Sequence, residues 1–155
     1  MSTGKEATYG KVSRAIELMV EGENDAVARM STICCELYHA FTDFHWVGFY
    51  RLVDPQTLKV GPYQGGHGCL TITTDRGVCG ACIRERKVQI ENDVSKVKDH
   101  IACSPETKSE IVLPILDSSG ALWAVLDIDS TELNAFDETD LQWLLHISKL
   151  AACCP

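Results

Sequence analysis

The sequence predicts an α+β domain in which amphipathic helices cover one face of an antiparallel sheet and loops build a pocket on the other. Three observations carry this. Aromatic and β-branched runs come in pairs joined by short turns, an arrangement that favours antiparallel neighbours. Helical periodicity is strongest at the two ends of the chain, where it can supply covering helices. A chain of 155 residues is enough for one substantial core, so a single domain spanning residues 1–155 is expected.

Taken in order, Val12, Ala15, Ile16, Met19 and Val20 recur at steps of three and four, which predicts a helix over 8–20 that Gly22 closes. Asn24 or Asp25 caps a second helix with Val27, Met30, Ile33, Cys34 and Leu37 on its apolar face, ending near Thr42-Asp43. Residues 44–53, rich in aromatic and β-branched types, form a strand. The turn Asp54-Pro55-Gln56-Thr57 returns the chain as a second strand over 58–63. A flexible Gly65-Gly66-His67-Gly68-Cys69 segment leads to a short strand over 70–72. Thr74-Asp75-Arg76-Gly77 opens a short helix over 78–86, and 88–91 reads as a brief strand before a long polar loop over 92–108. Strands over 109–116 and 121–129 pair through Asp117-Ser118-Ser119-Gly120. Asp137 caps a final helix whose apolar positions include Leu141, Leu144, Leu145, Ile147 and Leu150.

Composition excludes several classes of function. A hydrophobic share of 45% with 23% charged residues is ordinary for a folded domain and argues against disorder. The formal net charge of −8, with no local basic cluster, argues against nucleic-acid or anionic-membrane binding. No apolar run approaches the roughly 20 residues that span a bilayer. The first seven residues lack the apolar core of a secretory signal, so a cytoplasmic location is expected.

Eight cysteines are many for a chain expected in a reducing compartment, where metal binding or thiol chemistry outweighs a disulfide framework. Cys34 and Cys35 fall within a helical pattern and Cys153 and Cys154 at the C-terminus, which reads as packing. Cys69, Cys79 and Cys103 lie in loops or at element boundaries. Cys79-Gly80-Ala81-Cys82 is a CxxC without a second ligand pair for zinc and without a thioredoxin-like βαβ context, so no metal is assigned. Cys103 is the better nucleophile candidate, because His100 and Lys108 nearby favour a thiolate and a long loop can move. Cys69, flanked by glycine, is a plausible disulfide partner if the two Cα atoms come within about 7 Å.

Asp127 and Asp129 alternate with Leu126 and Ile128, which puts both carboxylates on one face of a strand. Glu110 lies on the paired strand. Three acids so close repel one another unless one is protonated or a cation sits among them. One held protonated can act as a general acid, while the others receive an ammonium group. Trp46 and Tyr50, four apart on one strand, face the same side and can wall an apolar pocket.

Five segments together resemble the free methionine-(R)-sulfoxide reductases, a family of single GAF domains: Trp46-Val47-Gly48-Phe49-Tyr50, Arg76-Gly77-Val78-Cys79-Gly80, His100-Ile101-Ala102-Cys103, Ser109-Glu110-Ile111-Val112-Leu113-Pro114 and Val125-Leu126-Asp127-Ile128-Asp129-Ser130. The resemblance implies a GAF-like sheet and reduction of free methionine sulfoxide. It makes Cys103 the catalytic thiolate, Cys69 the resolving cysteine and Cys79 an auxiliary thiol. Glu110, Asp127 and Asp129 would bind the sulfoxide oxygen and the amino group, and Trp46 and Tyr50 would enclose the methyl end. It further implies no bound cofactor, an external NADPH-coupled reductant of the thioredoxin type, and a homodimer through the helical face. Two positions depart from the family pattern: Ser104 stands where Asp commonly follows the catalytic cysteine, and Cys82 where a small residue is usual. The rival readings are a GAF module that binds a small effector without turnover, and a thiol redox sensor.

Overall fold

The computed structural model describes residues 2–152. Two helices, α1 (Ser2–Met19) and α2 (Ala26–Ala40), precede the hairpin β1 (Phe44–Asp54) and β2 (Thr57–Gly65). Short β3 (Thr71–Thr73), helix α3 (Gly77–Glu85) and short β4 (Gln89–Glu91) follow, then β5 (Ser109–Leu116), β6 (Leu122–Ser130) and α4 (Glu138–Lys149). The sheet runs β3-β2-β1-β6-β5-β4 and every neighbouring pair is antiparallel. The expected α+β class with an antiparallel sheet is what forms.

Strand alternation divides the buried residues into two clusters. Val47 and Phe49 of β1, Ile111, Leu113 and Ile115 of β5, and Leu126 and Ile128 of β6 point to one face and meet Ile16 of α1, Ile33 and Leu37 of α2, and Leu144 and Ile147 of α4. Trp46, Tyr50, Val112 and Val125 point to the other and meet Val78, Cys79 and Cys82 of α3. Thus the pocket face is covered by a helix as well as by loops, a refinement of the expected loop-built wall. Short α3 carries its apolar residues on the side turned to the sheet.

Element ends moved by one or two residues, except at the N-terminus, where α1 begins six residues before the expected start. The early turns lack apolar periodicity because a polar anchor holds them. Lys5 Nζ donates to the Ala135 carbonyl at 2.9 Å and pairs with buried Asp140. The Tyr9 hydroxyl donates to Asp140 at 2.7 Å. Asp140 also completes a capping box with Asp137 at the start of α4, as the position of Asp137 predicts. Asp25, rather than Asn24, caps α2 by accepting from the Ala28 amide at 2.8 Å. Cys34 is buried in the helical-face core and Cys35 is exposed, while Cys153 and Cys154 lie outside the described residues. Among the described residues no helix is long and apolar enough to cross a membrane.

Candidate active site

Sheet register assembles the site. Glu110 pairs with Asp129, and Val112 with Asp127, across β5 and β6. Across the next ladder Asp129 pairs with Trp46 and Asp127 with Gly48. Residues opposite one another on one face stand about 4.5–5.5 Å apart at Cβ, so three carboxyls and two aromatics converge on a patch three strands wide. Gly48 keeps it open, because a Cβ there would collide with the Trp46 indole and with Tyr63. Gly68 serves the same end from the β2–β3 connection, its Cα side facing the Trp46 ring and the Tyr50 hydroxyl.

Trp46 is fixed from both sides. Its ring stacks on Tyr50 with centroids 5.6 Å apart and on Tyr63 at 5.3 Å, and its Nε1 donates to the Gly66 carbonyl at 3.2 Å. Tyr63 was not among the expected pocket residues, nor were the two glycines. A glycine inside an aromatic strand is the signal that marks such a close approach.

Cys69 and Cys103 are joined by a disulfide with Cα atoms 5.4 Å apart. The loop over 92–108 that carries Cys103 is held at its ends by hydrogen bonds and in its middle by the disulfide. The Val94 amide donates to the Lys108 carbonyl at 2.9 Å, the Lys108 amide to the Ser130 carbonyl at 2.8 Å, and His45 Nε2 meets Thr107 Oγ1 at 2.9 Å. Ser104 accepts from the Glu106 amide at 3.3 Å. That turn is one an aspartate side chain makes equally well, so Ser104 preserves the loop geometry and removes a charge.

A pocket partly open to solvent lies beneath Cys103, lined by Trp46 and Tyr50 at its walls and by Cys79, Glu110, Asp127 and Asp129 at its floor. Cys69 is absent from that lining and joins the site through its bond to Cys103. A second, more open groove runs along the outer side of Cys103 past Tyr38, His45, Ser104 and Glu106.

Electrostatics on the floor follow from burial. Glu110 and Asp127 are 6% and 5% exposed, and burial raises both carboxyls well above their usual range, with Asp129 adding to the rise at Glu110 and Glu110 to that at Asp127. Asp129 is raised too, by burial and then by Asp127. Among the described residues no Lys or Arg pairs with any of the three. The partner of Glu110 is His100, whose Nε2 lies 3.2 Å from Oε2. Burial lowers the His100 pKa, so a neutral imidazole faces a carboxyl inclined to keep its proton. His100 thus serves the acid cluster rather than the Cys103 thiolate, contrary to the expectation from its place in the loop.

The buried Cys79 thiol donates to Asp127 Oδ2 at 3.6 Å. Burial and the Asp127 charge push its pKa well up, and burial pushes Cys82 up to about 12. Neither is a reactive low-pKa thiol, in keeping with setting aside a CxxC dithiol.

Raised carboxyl pKa values have a consequence for stability. The native state holds these protons more tightly than the unfolded chain does. The contribution of these three groups to stability is therefore full below the ordinary carboxyl range near pH 4 and is lost as pH rises toward their folded-state values. Asp127→Asn keeps the shape and removes one ionisation. Thermal unfolding followed from pH 4 to pH 8 should show a shallower decline for the variant and a melting temperature at pH 7 higher by about 3 °C or more. Parallel curves would mean that Asp127 does not titrate differently in the two states.

The GAF domain family model matches residues 25–153. The chain is 42% identical over 146 residues to GAF domain-containing protein A of Dictyostelium discoideum, covering 94% of this chain and 91% of that one. It is 39% identical over 139 residues to the free methionine-R-sulfoxide reductase of Escherichia coli, covering 90% and 83%. The fold superposes with a TM-score of 0.88, at 40% identity over 95% of this chain and 87% of the other, on the Neisseria meningitidis free methionine-R-sulfoxide reductase in complex with its substrate. The chain belongs to the free methionine-R-sulfoxide reductase family of GAF-domain proteins. Sharing that family places the expected GAF-like fold on firm ground and leaves the roles of individual residues to chemistry.

Proposed function

We propose that this protein is an oxidoreductase that reduces free L-methionine (R)-sulfoxide to L-methionine. The observation that carries the reading is the Cys69–Cys103 disulfide set over a pocket with carboxyls on its floor and aromatics on its walls. In the reduced enzyme the Cys103 thiolate attacks the sulfoxide sulfur while a protonated carboxyl of the cluster gives its proton to the sulfoxide oxygen. Methionine leaves as the thioether, two electrons richer, and the oxygen remains on Cys103 as a sulfenic acid. The Cys69 thiol condenses with it, forming the S–S bond and releasing water. Two electrons from a thioredoxin-type dithiol, itself recharged by NADPH, reopen the disulfide. The more open groove along Cys103, which adjoins the substrate pocket at Trp46 and His67, supplies an approach for that reductant.

Within this scheme Cys79 orients Asp127, and the other acids take the substrate ammonium. Trp46 and Tyr50 enclose the S-methyl group. The test is thioredoxin-coupled NADPH oxidation with the R and S epimers of free methionine sulfoxide. Turnover of the R epimer alone is expected; equal rates, or ligand binding with no turnover, would favour the sensor and effector-binding readings instead. Cys69→Ser should release one equivalent of methionine per chain and then stall under thioredoxin, as measured by quenched-flow product analysis. Continued cycling at the wild-type rate would remove Cys69 from the resolving role.

The reading includes a homodimer through the helices. Leu18 and Met19 near the end of α1 and Val27 at the start of α2 are 54%, 62% and 57% exposed, an apolar surface that a second subunit would cover. Sedimentation equilibrium at micromolar concentration should give the dimer mass; a monomer would discard this element alone.

A further inference from the structure

We propose that the pocket floor is a site for a thiophilic divalent cation of the Zn²⁺ class, held by Cys79, Glu110 and Asp127. Donor atoms of these three side chains lie within 4.8 Å of one another and all three residues are buried. They come from three separate elements, α3, β5 and β6, so the set is built by tertiary packing and is not a local run of acids. One sulfur with two carboxylate oxygens is a borderline-soft set that suits zinc better than magnesium or calcium. Tetrahedral zinc, with bonds of about 2.0–2.3 Å, holds its ligands about 3.3–3.8 Å apart. Small rotations of the three side chains close that gap.

Two further features point to a cation here. Asp127 Oδ1 is fully buried and has no hydrogen-bond partner among the described residues, which is costly for a carboxyl oxygen unless something positive or protonic meets it. His100 stands behind Glu110 at 3.2 Å, the place of an outer-shell residue that orients a ligating carboxylate. The sequence alone did not suggest this set, since the CxxC draws attention to Cys82, whereas the partners that Cys79 meets lie on the sheet. Binding displaces the Cys79 proton and those on the carboxyls, so affinity rises with pH. The cation would take the carboxyls that the proposed reaction gives to the substrate, so cation and substrate exclude one another, and the inference stands on the donor set rather than on turnover.

The test uses the full chain with the Cys69–Cys103 disulfide closed and with Cys35, Cys153 and Cys154 replaced by serine. Those changes remove the exposed thiol on α2, where Cys35 lies 3.8 Å from His39 Nδ1, and the C-terminal thiols. Cd²⁺ is the probe, followed by its thiolate charge-transfer absorption in the ultraviolet, with Zn²⁺ as competitor. One equivalent per chain is expected, displaced by Zn²⁺ and tighter at pH 8 than at pH 6. Cys79→Ser should abolish the band, Asp127→Asn should weaken binding at least tenfold, and Cys82→Ser should leave both unchanged, with folding checked by circular dichroism. Absence of a band in the folded parent, a band that survives Cys79→Ser, affinity unmoved by Asp127→Asn, or a band lost with Cys82→Ser would each overturn the assignment.

Discussion

Replacing Cys103 by serine is expected to lower turnover of free methionine (R)-sulfoxide by at least about a thousandfold while leaving the fold and the pocket intact. A hydroxyl is one atom different in place and far from it in chemistry. At neutral pH it offers almost no anion, and an oxygen nucleophile cannot pass through a sulfenic acid to a disulfide. Cys79 cannot stand in for it. That thiol is buried on the floor with its pKa driven up by burial and by Asp127, so at neutral pH it is protonated. Cys82 is more deeply enclosed still. The steady-state rate, measured by thioredoxin-coupled NADPH oxidation, should fall without a matching change in methionine binding followed by Trp46 fluorescence. Turnover retained within tenfold of wild type would show that the nucleophile lies elsewhere.

The reason the pairing of Cys69 with Cys103 was legible before any coordinates, while much of their surroundings was not, lies in which forces place each residue. Strand register follows from alternation, so Asp127 and Asp129 could be put on one face, and Glu110 beside them, from spacing alone. The helices at either end were equally plain in their apolar steps. What alternation does not encode is how far a neighbouring side chain reaches across a strand. Tyr63 stacks on Trp46 because β2 brings it alongside at Gly48, a pairing that depends on a bulge between Gly48 and Tyr50. His100 illustrates the same gap. Three residues from Cys103 in the chain, it suggested a partner for the thiol, yet the turn at Ile101–Cys103 carries it to Glu110. The N-terminal turns of α1 escaped notice because a lysine and a tyrosine hydroxyl hold them, and polar anchoring leaves no periodic mark.

The largest discrimination expected of this pocket is against a substrate whose amino group is blocked. N-acetyl methionine (R)-sulfoxide should be reduced with a kcat/KM at least about 10⁴-fold below that of the free amino acid, the range typical of sites whose buried polar groups lose their partner. The physical basis is the balance on the floor. Three carboxyls that pair with no Lys or Arg among the described residues have their pKa values raised by burial and by one another's charge. An incoming ammonium would let one or two of them ionise, and on a buried floor that pairing is strengthened by the low local dielectric. An acetamide brings neither the charge nor the three donors, and its added methyl and carbonyl must fit against Glu110 and Asp129 where the register leaves little room. The penalty should therefore appear mainly as a loss of binding that grows with pH, since the carboxyls left unpaired become costlier as they ionise. Asp129→Asn should narrow the gap by depressing the free substrate far more than the acetylated one. Comparable kcat/KM values for the two substrates would place the ammonium away from the cluster, and would make the sulfoxide oxygen its sole occupant.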